Sequence, residues 1–92
     1  MEVEVNGAGD LDFANIQVPA LTVVVNGAGD VNVKDMDVAD FSLTVNGAGD
    51  AVLTGKTVNA SVEVNGAGDI NARGLKYENI YKSKKGAGSI KI

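Results

Sequence analysis

Apolar side chains take every second position in short bursts along this chain: Val3 and Val5, Val23 and Val25, Leu43 and Val45, Val62 and Val64. Each burst runs into Asn-Gly-Ala-Gly-Asp. The alternation then resumes at Leu11 and Phe13, Val31 and Val33, Ala51 and Leu53, Ile70 and Ala72, and Ile90 and Ile92. A period of two predicts strands with one buried face. The residues between, Asp12, Asn32, Asn71 and Lys91 with Val52 as the exception, are polar and are expected to face water. A third apolar stretch pairs Ile16 with Val18, Met36 with Val38 and Leu75 with Tyr77. Its counterpart at Gly55-Lys56-Thr57-Val58 is one residue short, which predicts a tolerant surface turn there.

The glycine motif begins at Asn6, Asn26, Asn46 and Asn65, then returns as Lys85-Gly86-Ala87-Gly88-Ser89, so the spacings are 20, 20, 19 and 20 residues. A fixed period in this range belongs to stacked repeats, whose units bury their apolar faces only against neighbours. Frequent Asn-Gly and abundant valine oppose a helical repeat, and the leucine spacing of leucine-rich repeats is missing. The prediction is an all-β fold: a single-stranded parallel β-helix, or β-solenoid, of four to five rungs with about 20 residues per rung. Its crossovers are expected to be right-handed, as in most parallel connections. One domain over 1-92 is expected, divided into rungs 1-20, 21-40, 41-59 and 60-79 and a partial capping rung 80-92. At about 4.8 Å per rung it would stand roughly 22 Å tall.

Composition narrows the chemistry. The chain has no cysteine and no histidine, which removes disulfides, thiolate metal sites and the usual general base. An enzyme is not expected, because the corner aspartates repeat identically and the single arginine, Arg73, has no distinct acidic partner. The first twenty residues are acidic rather than lysine-then-apolar, and no run approaches about 18 apolar residues, so neither a signal peptide nor membrane insertion is expected.

Charge is unevenly placed. Residues 1–72 carry eleven acids against Lys34 and Lys56, a net of −9, whereas residues 73–92 carry Arg73, five lysines and Glu78, a net of +5. Nucleic-acid binding at the basic end is not expected: the acidic body repels phosphate and only Tyr77 and Tyr81 are available for stacking. The lysines read instead as an end cap, since Lys82 and Lys84 fall in columns otherwise filled by valine or leucine and discourage another stacked rung. Met1 to Val5 carry no such protection. End-to-end homo-oligomers through the N-terminal rung are expected, with head-to-tail contact onto the lysine end as the rival arrangement.

Candidate chemistry gathers at the Gly-Ala-Gly corner. Glycines in its seventh and ninth columns are expected to supply positive φ and close backbone approach, with alanine the largest residue that fits between. Asn6, Asn26, Asn46 and Asn65 suit a stacked amide ladder. Asp10, Asp30, Asp50 and Asp69 form a carboxylate column, whose neighbours repel by roughly 0.9 kcal/mol per pair in water. Hydrogen bonds from turn N–H groups, about 1.5–3 kcal/mol each, are expected to offset that repulsion without a metal. Calcium is the one cofactor this column is compatible with, although calcium-loaded β-rolls use G-G-x-G-x-D at period nine. Catalytic and cofactor-binding residues are expected to be none.

The strings VEVNGAGDLDF, VVVNGAGDVNV, VEVNGAGDINA and the closing KSKKGAGSIKI resemble the putative auto-transporter adhesin head GIN domain family, in its C-terminal half. That family usually has serine where this chain has Asn6, Asn26, Asn46 and Asn65. The resemblance implies a right-handed β-helix from secreted or cell-envelope proteins, mostly of Bacteroidetes, with a structural or adhesive role and no established molecular function. It assigns no ligand residues; a surface glycan or a protein would be the partner of an adhesin. A shortened or engineered β-solenoid scaffold fits the same residues.

Overall fold

A computed structural model describes residues 1–91 of the chain. Seven strands among them form one continuous parallel sheet that winds into a β-solenoid of about four turns. They are β1 (Glu2–Asn6), β2 (Gly9–Ala14), β3 (Gln17–Gly27), β4 (Gly29–Gly47), β5 (Asp50–Val64), β6 (Asp69–Lys84) and β7 (Ser89–Lys91). The long strands run on through corners, with register shifts between Val33 and Met36 and between Val52 and Thr54, which is why β4 reaches 19 residues.

Backbone register follows the repeat. Val3 pairs with Val23, Val23 with Leu43, Leu43 with Val62 and Val62 with Lys82. Past the corner, Leu11 pairs with Val31, Val31 with Ala51, Ala51 with Ile70 and Ile70 with Ile90. The expected position of Ile92 at the end of the neighbouring column lies outside the described residues. Vertical registry brings identical apolar side chains together in the lumen: Val23, Val25, Val33, Leu43, Leu53, Val62, Val64 and Ile70 are wholly buried. Each such burial contributes about 1.5–3 kcal/mol. Bulk is shared between turns, as where buried Phe41 lies on Ala60 in one column.

Inward-outward alternation breaks at three places in a turn, where consecutive residues are exposed: the glycine corner, Lys34-Asp35, and Ala39-Asp40. The second of these corners is turned by left-handed backbone at Asn15 (φ 56°) and Asp35 (φ 54°), residue types whose short polar side chains tolerate that region. Here the structure moves the predicted deletion. Val33 pairs with Leu53 but Met36 pairs with Gly55, so Thr54 alone spans what Lys34 and Asp35 span below it. The missing residue therefore lies at Thr54, ahead of the Gly55–Val58 segment. Gly55 then takes positive φ (124°), and Thr54 Oγ1 accepts from Asp35 N–H and donates to the Val33 carbonyl, each at 3.3 Å. Thr57, the buried polar residue in Val38's column, donates from its hydroxyl to a backbone carbonyl, with those of Ala39 and Asn59 both 3.2 Å away.

Candidate functional site

The glycine corner is built by the absence of side chains: above the first turn, both of its glycine columns press on the backbone of the turn below. Positive φ occurs in the seventh column, at Gly7 (95°) and Gly27 (129°), where a side chain would be strained. No ninth-column glycine has positive φ, which corrects the sequence expectation. Those glycines are required by contact alone, as are Gly66 and Gly86 in the seventh column, while Gly27 combines its positive φ with a Cβ position 2.6 Å from the Gly7 carbonyl oxygen. A Cβ on Gly29 would lie 2.6 Å from the Gly9 carbonyl oxygen and one on Gly68 2.6 Å from that of Gly49; Gly49 and Gly88 would collide with Gly29 and Gly68 in the same way. The alanines between are exposed.

Beside this corner the asparagine ladder forms as expected. Asn26 donates through Nδ2 to Asn6 Oδ1 at 3.1 Å, Asn46 to Asn26 at 2.9 Å and Asn65 to Asn46 at 2.9 Å. At its base the direction of donation leaves Asn6 without a rung below, and its amide turns onto Glu4 Oε1 at 2.7 Å. A second ladder escaped the sequence reading: Asn59 donates to Asp40 Oδ1 at 3.0 Å and Asn79 to Asn59 at 3.1 Å. Its signal was Asp40, Asn59 and Asn79 one repeat apart, hidden by the lack of a fixed motif around them.

In the aspartate column Asp10 pairs with Asp30, Asp50 with Asp69, and Asp69 with Ser89, while between Asp30 and Asp50 the pairing begins one residue later, at Val31 and Ala51. All four carboxylates are exposed, and among the described residues none receives a hydrogen bond from a turn amide. Solvent and salt therefore moderate their repulsion, in place of the expected amide donors. Among the described residues no three acidic side chains converge into a group able to hold a metal.

Open grooves lie on the outer face, among them one of about 480 Å³ beside Asp35, Thr54 and Gly74. Another, of about 430 Å³, runs along the axis past Asp40, Asn59 and Asn79 on one side and Ser42 and Ser61 on the other, toward exposed Tyr81. A third, of about 370 Å³, follows Asp37, Lys56, Lys76 and Tyr77. Its Lys56–Asp37 pair is 3.9 Å apart and solvent-exposed, as is Lys85–Glu63 at 3.9 Å, so neither adds much stability. These grooves offer hydroxyl, amide or charged groups on a shallow surface. No helix in the described residues is long and apolar enough to cross a membrane.

The sequence model of the family described as "Putative auto-transporter adhesin, head GIN domain" matches residues 1–92, the whole chain. No curated protein and no solved structure matches the chain.

Proposed function

The chain belongs to the auto-transporter adhesin head GIN-domain family, and on that premise we propose that it is a non-catalytic structural, adhesin-like module of a secreted or cell-surface bacterial protein. One observation carries this reading. Registry repeats the same side chains in columns, asparagine on asparagine and aspartate on aspartate, so that the surface is periodic along the axis. A catalytic site needs a constellation of unlike groups converging on one reacting atom. A periodic face suits a rigid spacer or a repeated contact surface.

Location is the testable half of this proposal. The exposed lysines at 82, 84 and 85 make the chain reactive toward a membrane-impermeant amine reagent. Intact cells of the source bacterium, or their culture medium, are expected to yield labelled protein; label appearing only after lysis would refute the assignment.

Calcium binding through Asp10, Asp30, Asp50 and Asp69 is the second reading, favoured by the stacking of Asp10 on Asp30 and of Asp50 on Asp69. Calcium generally takes six to eight oxygen ligands at 2.3–2.6 Å, and neighbouring rungs set these carboxylates about 4.8 Å apart. Calorimetric titration with Ca²⁺ is expected to give no heat and no change in Tm. A saturable heat, abolished by Asp30→Asn with Asp50→Asn, would establish the calcium reading in its place.

A further inference from the structure

The groove of about 430 Å³ gathers one set of polar groups at a fixed step along the coil. On one wall Asp40, Asn59 and Asn79 stand one above another over Ala20; on the other Ser42, Ser61 and Tyr81 do the same. The ladder holds its amides in place, each spending one N–H on the neighbour below, at 3.0 and 3.1 Å. A second N–H on each amide and a second oxygen on Asp40 are left for a ligand. Tyr81 is 64% exposed, more than any other large apolar side chain among the described residues, so its ring does little for folding. No lysine or arginine lines this groove.

We propose that this groove binds an unbranched, neutral β-1,4-linked glycan lying along the axis, with about one sugar ring to each turn. The proposal rests on the reading of the outer face as a repeated contact surface and names what that surface holds. Spacing carries the argument. Successive turns lie about 4.8 Å apart, close to the advance per ring of a flat, extended β-1,4 chain, so that a periodic wall meets a periodic polymer in step. Neighbouring rings of such a chain present opposite edges, which amides and hydroxyls accommodate because both donate and accept. The exposed ring of Tyr81 matches the C–H face of a sugar, and an apolar platform beside a few placed polar groups is the usual make-up of a small-ligand site. Asp40 disfavours an anionic ligand, since no cation in the groove offsets it. An extended peptide finds no main-chain partner here, because β4 and β5 are paired on both sides.

Titration of the whole chain with cellohexaose, followed by nuclear magnetic resonance, tests this. Saturable shifts at the Asn59 and Asn79 side-chain amides and at Tyr81 are expected with a Kd of about 1 mM or below, and maltohexaose, whose α-linkages curl the chain out of step, is expected to bind at least about tenfold more weakly. Tyr81→Ala is expected to lose about fivefold in affinity and Tyr81→Phe no more than about twofold, with Tm unchanged in both. Asp40→Asn keeps an acceptor for Asn59 while removing the charge, and about a threefold loss is expected. Absence of saturation by about 10 mM cellohexaose, equal binding of maltohexaose or of a neutral Gly-Ser peptide, or binding untouched by Tyr81→Ala overturns the inference. Surface labelling of the lysines is a separate measurement, so a labelled protein that ignores cellohexaose refutes the glycan site and leaves the surface assignment standing.

Discussion

Gly49→Ala is expected to destabilise the protein by about 3 kcal/mol or more, whereas Gly9→Ala, the same substitution in the same column, leaves stability within about 0.5 kcal/mol or raises it slightly. The added Cβ at Gly49 would collide with the Gly29 carbonyl, a backbone atom that cannot rotate away. Relief requires the two turns to part, and that loosens the neighbouring bond between them, from Ala48 N–H to the Gly27 carbonyl, 3.1 Å long. At Gly9 no turn lies beneath. For a domain of this size the loss at Gly49 corresponds to a fall in Tm of roughly 12 °C or more. Urea denaturation of the two variants beside the parent decides it, and equal effects would show that stacking contact does not explain the ninth-column glycines.

Replacing both lysines of the closing turn, Lys82→Val with Lys84→Val, is expected to convert a discrete molecule into concentration-dependent head-to-tail assemblies. Lys82 and Lys84 stack on Val62 and Val64 in inward columns and remain exposed because nothing covers them. Burying an ammonium group costs several kcal/mol after relaxation, so these two side chains keep the end of the coil from receiving another turn. Valine would complete the apolar columns and leave an unprotected sheet edge. The open edge at Val3 and Val5 on a second molecule then becomes its partner, through a heterologous contact that does not close. Light scattering against concentration reads the outcome, and adding Gly9→Ala is expected to reverse it. A double variant that sediments as the parent does would remove the lysines' role as a cap.

Much of this was legible in the chain because the repeat is strict. Period-two alternation named the inward columns, and Leu21, Val23, Val25, Leu43, Val45, Val62 and Val64 are buried where it put them. Identical residues one period apart announced the asparagine ladder and the aspartate column. The β-solenoid architecture and the family were both readable from the same strings. The deletion was harder to place, because a one-residue gap slides freely among Thr54, Gly55 and their neighbours until a register is imposed. The Asp40–Asn59–Asn79 ladder lacked any motif to mark it.

By itself the sequence determined which residues lie above which, since a backbone that repeats every 20 residues must return each side chain to its own column. Only the tertiary structure decided direction along the axis. It showed that a glycine's missing Cβ faces the turn before it, that each amide donates downward, and hence that Gly9 and Asn6 face an open edge while Gly49 and Asn46 do not. A periodic string reads alike in every repeat; it is the L-configured backbone, wound one way, that makes the two ends of the coil unlike.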